Sequence, residues 1–390
     1  MLVAVEPSGD ALGAGLARAL RQRLGPQARF VGVGGPAMAG EGIQSPFDPS
    51  SMAVVGAFNA IAAWPEVRER ARETADLAVR EHPDVAVLID AWGFTLRVAG
   101  RLREADPDLP LVKYVAPQVW ATRPGRARTL ARRVDRLLTI HSFDAPHFER
   151  EGLPTTFVGN PALQRDMSAA DPQALRQRLG LSSHAPLLLV LPGSRREEVR
   201  RLMGPFGDAV TRVERARPDV TVAIAAAPAV AAQIKNRAGA WARPPLIIEG
   251  DLDRLAAMRA ATAALACSGT VTTELALAGC PMVVAYRLGP FTHLAARLLL
   301  RTRYITLFNV AAGRFVAPER IQGQCRGDIL ARDLLVLLNT TAAHYTQIAQ
   351  QSAALDIMRG GIDDPFGAAA DAVVEVLNAR KGQPRASSGT

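Results

Sequence analysis

Short apolar runs, each followed by a longer amphipathic stretch, recur along the chain. In the first half the runs are LVAV (2–5), RFVGVG (29–34), VAVLID (85–90), LVKYVA (111–116), RLLTIH (136–141) and TTFVG (155–159), and the spacing predicts helices at 10–24 and 65–81. Polar sequence from Gln164 to Pro186, with one short predicted helix at 172–179, reads as a hinge. The pattern then restarts with LLLVLPGS (187–194), VTVAIAAA (220–227), PLIIEG (245–250), AALACSG (263–269), PMVVAYR (281–287) and ITLFNV (305–310). Helices are predicted at 328–338, 341–358 and 367–380, and KGQPRASSGT (381–390) reads as a disordered tail. Strands alternating with helices argue parallel sheets with crossover helices. The fold expected is therefore α/β, two doubly wound Rossmann-like domains facing a central cleft. The expected domains are 1–165, 166–355, a C-terminal helix at 356–380 whose return onto the first domain is left open, and the tail at 381–390.

Composition narrows the partners. The 390 residues are 48% hydrophobic and carry a net charge of +9, which suits an anionic partner, although an Arg-rich proteome gives the same balance. No basic tail is present and aromatics are only 5%, so no nucleic-acid partner is expected. Three cysteines without metal-ligand spacing suit a reducing compartment, and no metal is expected. MLVAVEPSGD reads as a strand rather than a leader, and no run of apolar residues is long enough to span a membrane. A cytoplasmic protein is expected, with contact to a membrane surface allowed.

In open α/β sheets chemistry gathers beyond the carboxyl ends of strands. Ser268-Gly269-Thr270 lies where an apolar run stops and a helix starts, an anion-competent turn. Glu274, one turn on, suits a ribose diol, and a capping box explains the same spacing. Gly193-Ser194-Arg195 repeats the design, with Arg195 as a phosphate ligand. The first half offers Ser8-Gly9-Asp10 after the first run. Asp90 ends a very apolar run, where a carboxylate facing a cleft can act as a general base. Gln118, Trp120, Arg123 and Arg126 follow the next run and suit a polar ligand with an apolar part. Gly32, Gly34 and Ala37 formally match a dinucleotide fingerprint, but Pro36 intervenes and no acid ends the next strand, so NAD is not expected. Two stretches, 54–67 with Trp64 and 288–308 with Arg297, Arg301 and Arg303, suit either a lipid surface or core packing.

In this order, SGDALGAGLARAL, FVGVGGPAMAGEG, PDVAVLIDAWGF, VKYVAPQVWATRPGR, LPGSRREEV, SGTVTTELALAGCPMVVAYRLGPFT and NVAAGRFVAPERIQ resemble the lipid-A-disaccharide synthase family, from Val3 to about Leu377. The resemblance implies a GT-B fold and an inverting, metal-independent transfer of 2,3-diacylglucosamine from UDP to 2,3-diacylglucosamine 1-phosphate. It implies no cofactor beyond the UDP-sugar, and a peripheral place on the cytoplasmic face of the inner membrane. Acylated glucosamines and an anionic membrane surface are the implied partners, with a homodimer left open. It puts UDP at Gly193, Ser194, Arg195, Ser268, Gly269, Thr270, Glu274 and Asn309, makes Asp90 the base, and sets Ser8, Gly9, Asp10, Gln118, Trp120 and Arg123 on the acceptor side. Arg195 joins Asp90 as catalytic, meeting the leaving phosphates. The departures cluster in the first half: Pro7 in the usual GEASGD, Asn59 for an acid, Gly93 for an aspartate, Thr122 for an aromatic and Asn160 for a histidine, with Phe308 for a proline in the second. A paralogue with another acceptor, a related enzyme on another UDP-sugar and a UDP- or lipid-binding pseudoenzyme remain as alternatives.

Overall fold

The computed structural model describes residues 1–49, 64–289 and 302–381. The apolar stretch 54–63 with Asn59, most of 288–308 with Arg297 and Arg301, and the tail beyond 381 lie outside the described residues. Two compact units emerge: Met1–Pro161 together with the chain from Arg359 onward, and Ala162–Met358.

In the first unit the strands are β1 (Leu2–Val3), β2 (Gly32–Val33), β3 (Ala86–Ile89), β4 (Leu111–Tyr114), β5 (Arg136–Thr139) and β6 (Thr155–Phe157). They pair in the order β2-β1-β3-β4-β5-β6, all parallel. Side chains alternate between the faces, so Leu88, Leu111 and Leu137 enter one core while Ile89, Val112 and Leu138 enter the other. RFVGVG yields only a two-residue strand, whose Gly32 is forced: a Cβ there would lie 1.8 Å from the Leu2 carbonyl oxygen. The helix Pro7–Leu24 covers the second face, and the helix Pro365–Lys381 packs against it. Gly15 makes room for Phe366, and Arg23–Asp371 and Arg136–Glu375 ion pairs tie the returning helix down.

In the second unit the strands are β7 (Leu187–Leu191), β8 (Thr221–Ala225), β9 (Leu246–Ile248), β10 (Ala263–Cys267), β11 (Met282–Tyr286) and β12 (Glu319–Ile321). Their order is β12-β11-β10-β7-β8-β9, again parallel. Read from β9, it is the dinucleotide-fold order 3-2-1-4-5-6. One expectation fails here. ITLFNV is not a strand: Leu307–Ala312 is helical, with Thr306 as its N-cap residue. The buried Glu319 carboxylate accepts from the backbone N–H groups of Ile305 (2.9 Å) and Thr306 (2.8 Å), and this anion at the helix start overrides the local β preference.

The two sheets share one property. Each has a point where chain connections leave in opposite directions, between β1 and β3 in the first and between β7 and β10 in the second. Ligands of doubly wound sheets bind at such points.

Candidate active site

Every turn singled out in the second unit sits at that point. Gly193-Ser194-Arg195 follows β7, and Ser268-Gly269-Thr270 follows β10. The two differ in who claims their backbone donors. The N–H groups of Ser194 and Arg195 both donate to Glu198 Oε2 at 3.2 Å, so the first turn of the helix Arg196–Ala216 already holds an anion of its own. Gly193, at φ 112°, leaves the space that the Glu198 side chain fills. Arg195 projects outward with 80% of its side chain exposed and only a 3.3 Å contact to Glu198. At the β10 turn, by contrast, no acceptor among the described residues meets the N–H of Gly269 or Thr270. Gly269 combines φ 156° with ψ −166°, and a Cβ on it would find open space.

Glu274 is no helix cap. Its buried carboxylate accepts from Arg165 and Arg254, each at 2.5 Å, and Asp251 pairs with the same two arginines. Two carboxylates and two guanidiniums thus form a closed network beneath the open turn. Arg165, Arg254 and Asp251 were not foreseen, because Arg165 lies 109 residues from Glu274. Asn309 is fully buried, and its amide is occupied on both sides: Nδ2 donates to Ala317 O and Glu319, and Oδ1 accepts from Val316 and Ala317. The structure gives it a bracing role. Ser268 Oγ joins this brace by donating to Ile305 O at 3.2 Å.

In the first unit Ser8-Gly9-Asp10 follows β1 and Asp90 follows β3, so both flank the reversal point. A Cβ on Gly9 would lie 3.7 Å from that of Asp90, and Ser8 Oγ approaches Asp90 Oδ2 at 3.5 Å. Asp10 is buried and faces elsewhere. It accepts from the N–H groups of Gly35, Ala37 and Met38, filling the helix start where a dinucleotide phosphate would sit. That contact, with the tight Gly32 crossing, accounts for the glycine-rich run without NAD.

Asp90 (φ 48°) and Ala91 (φ 40°) are consecutive left-handed residues, and Val115 at the end of β4 has φ 74°. For residues with a Cβ, and above all for a β-branched one, such angles are strained. The bend is held by Thr95 Oγ1 and Lys113 Nζ, both donating to Asp90 O. Burial brings the Lys113 ammonium down to about 7, against the opposing pull of Asp90 and Glu6. Glu6 is raised by burial and then by Asp90, with Lys113 pulling the other way.

The remaining residues expected on the acceptor side follow β4. Trp120 Nε1 donates to Asp144 Oδ1 at 3.0 Å and meets Phe143 edge-on. Burial pushes Asp144 up to about 7 and His141 down to about 4. Gln118 accepts from the N–H groups of Ala121 and Thr122 through its backbone, and Arg123 is exposed at φ 50°. Cys267, Cys280 and Cys325 are free and buried, with thiols raised by burial. Among the described residues no group of three or more His, Cys, Asp or Glu is arranged to hold a metal ion. Nor is any helix among them long and apolar enough to cross a membrane.

A family profile described as lipid-A-disaccharide synthetase matches residues 1–364. The lipid-A-disaccharide synthase of Rhodospirillum centenum is 41% identical over 379 residues, 97% of this chain and 94% of the relative. That of Rhodopseudomonas palustris is 41% identical over 377 residues, 96% and 95% of the two chains. The chain belongs to the lipid-A-disaccharide synthase family. Solved structures agree on the fold: S. aureus MnaA in a UDP co-structure aligns with a TM-score of 0.62 at 15% identity, covering 98% of each chain. A UDP-GlcNAc 2-epimerase from Neisseria meningitidis bound to UDP-GlcNAc gives 0.59 at 14%, covering 97% of this chain and 98% of its own. The two six-stranded parallel sheets are those of the GT-B class.

The departures from the synthase pattern now have places. Pro7 takes the first helical position of Pro7–Leu24, where the missing N–H costs nothing. Phe308 is fully buried in the second unit's core. Thr122 donates its backbone N–H to Gln118 O, and Asn160 follows β6. Gly93 is exposed in the first turn of Trp92–Ala105, beside Asp90 and Ala91.

Proposed function

We infer that this synthase joins two acylated glucosamines into the lipid A disaccharide, taking one from UDP and releasing UDP. UDP is the leaving group held by the second unit. N–H groups at Gly269 and Thr270 that meet no acceptor among the described residues, at a reversal point one helical turn from a charge-balanced network, are the observation that carries this reading. The diphosphate meets Ser268, Gly269 and Thr270. Glu274 retains lone-pair capacity for a ribose hydroxyl, and its two arginines fix its position. Arg195, exposed and loosely paired, turns to the leaving phosphates. Gly193 and Ser194 set the turn that carries it, and Asn309 with Glu319 holds the chain against which Ser268 rests.

Asp90 of the first unit is the base. The acceptor hydroxyl oxygen attacks the anomeric carbon, the bond to UDP breaks with its electron pair leaving on the phosphate, and the hydroxyl proton passes to Asp90. A single displacement of this kind inverts the anomeric centre. Ser8 and Gly9 shape the floor beside Asp90, Asp10 ties the start of their helix to the helix start at Gly35–Met38, and Gln118, Trp120 and Arg123 line the acceptor's approach. The acyl chains of both sugars and the net charge of +9 support a reaction at an anionic membrane surface on the cytoplasmic side.

The test is UDP release from UDP-2,3-diacylglucosamine with and without 2,3-diacylglucosamine 1-phosphate. Acceptor-dependent release with a disaccharide product is expected. Tight UDP binding without acceptor-dependent release would defeat the enzymatic reading.

A further inference from the structure

Within the first unit a cavity of about 900 Å³ reaches Ala91, the residue after Asp90. Arg68, Arg97, Arg101, Arg123, Arg126 and Arg133 line it, against two glutamates, Glu6 and Glu104. Arg101 pairs with Glu104 at 3.4 Å. Among the described residues none of the other five forms an ion pair with a carboxylate. For exposed arginines that is ordinary, but Arg97 and Arg126 are half-buried. Burial, and then a like-charged neighbour (Arg68 for the first, Arg123 for the second), lowers both guanidiniums from their usual value.

Aromatic faces hold these two side chains. The Arg97 guanidinium carbon lies 3.9 Å from the centre of the Trp64 ring, and that of Arg126 lies 5.0 Å from Trp92. A ring face fixes the plane of a guanidinium while leaving its N–H edge available, the arrangement that receives phosphate through paired bonds. Arg97 also donates through Nη1 to Gly93 O, which anchors it in place. Val67, Phe94 and Leu96 add apolar wall. Six arginines against two glutamates among the described lining residues, on an apolar wall, fit an amphiphile with a doubly charged head.

We propose that this cavity binds the phosphate monoester of a glycosyl phosphate, and that Arg97 and Arg126 select the acceptor by that group. The assignment rests on the reading above, in which the acceptor carries an anomeric phosphate, and it adds residues that reading did not use. The phosphate end anchors the sugar in the cavity, and the hydroxyl to be deprotonated lies towards Asp90.

The test compares the full chain with Arg97→Gln, Arg126→Gln and the control Arg128→Gln, whose side chain pairs with Glu151 outside the cavity. Binding is read by tryptophan fluorescence with glucosamine 1-phosphate as probe. Losing one charge-assisted contact should weaken it about 10-fold in either cavity variant and leave the control unchanged. In turnover, KM for 2,3-diacylglucosamine 1-phosphate should rise by about the same factor, while KM for the dephosphorylated acceptor stays put. No response of the wild type to glucosamine 1-phosphate, or equal losses with both acceptors, overturns the proposal. Dihexanoyl phosphatidic acid saturating at a lower concentration than the phosphosugar overturns the sugar assignment in favour of a lipid headgroup. Arginine-dependent phosphosugar binding in a protein that releases no UDP upholds the cavity and defeats the enzymatic reading instead.

Discussion

The two reversal points are built from opposite materials. In the second unit three carboxylates are answered internally: Glu198 fills one turn, Glu274 sits between two arginines, and Glu319 binds a helix start. In the first unit the residues around Asp90 are bent into left-handed backbone, a lysine is buried beside a carbonyl, and arginines lean on rings rather than on carboxylates. A neutralised, rigid bed suits a ligand that must be held and released many times. A strained and under-compensated one suits a group that must change protonation state as a bond forms. The contrast supports the proposed division, with binding in the second unit and proton transfer in the first.

The largest effect expected from breaking this contrast is at Asp90. Asp90→Asn should lower kcat by about 10²-fold or more, as loss of a general base does, with UDP affinity intact. An unchanged rate in a stopped assay for UDP would remove Asp90 from the chemistry. Glu274→Gln attacks the other side. It leaves two guanidiniums with a neutral partner in a half-buried place, and breaking a buried pair costs about 3 kcal/mol or more. A lower Tm and a donor KM raised about 10-fold should follow, with the acceptor KM unmoved; calorimetry and donor titration check both. Arg195→Ala should weaken UDP binding about 5-fold with no change in Tm, because the side chain is exposed and its loss leaves Glu198 capping the turn. Equal UDP affinity by calorimetry would take Arg195 out of the donor site.

The smallest effect is a pH dependence in the first unit. Asp144 is raised to about 7 by burial, so between its unfolded value and 7 the unfolded chain ionises while the folded one stays protonated. Stability from this group is therefore full below about pH 4 and declines as pH rises through about 7, by at most about 1.4 kcal/mol per pH unit. His141 runs the other way, losing stability as pH falls from 6.5 towards its lowered value of about 4. Asp144→Asn keeps an acceptor for Trp120 and removes one of the two slopes. The Tm difference between variant and wild type should grow by about 3–5 °C from pH 5 to pH 6, and a constant difference would show that Asp144 does not titrate there.

Which parts were legible beforehand follows from what determines them. Strands such as Leu187–Leu191 and Ala263–Cys267 announce themselves because a strand covered on both faces is apolar throughout. Asp90, Ser268 and Arg195 stand out because polar residues end those runs. Glu319 could not be seen, since its partners are backbone N–H groups 13 and 14 residues earlier. For the same reason ITLFNV misleads, because a buried carboxylate outside it makes it a helix. Asp10 and Glu198 were readable as polar positions, but not as groups already engaged. Arg126 was readable beside Gln118, Trp120 and Arg123, though not its ring at Trp92, whereas Arg97 gave no signal, because only the fold brings Trp64 over it.

The first unit is interrupted by the whole of the second and resumes at Arg359. As the chain leaves the ribosome, its first sheet is made early and waits uncovered where Phe366 and Val373 belong, while the inserted unit has every strand of its own in hand. The unit born first is thus the last to be completed, and between those moments it exposes a greasy face. A nascent chain stalled before residue 365 should be the form that chaperones retain.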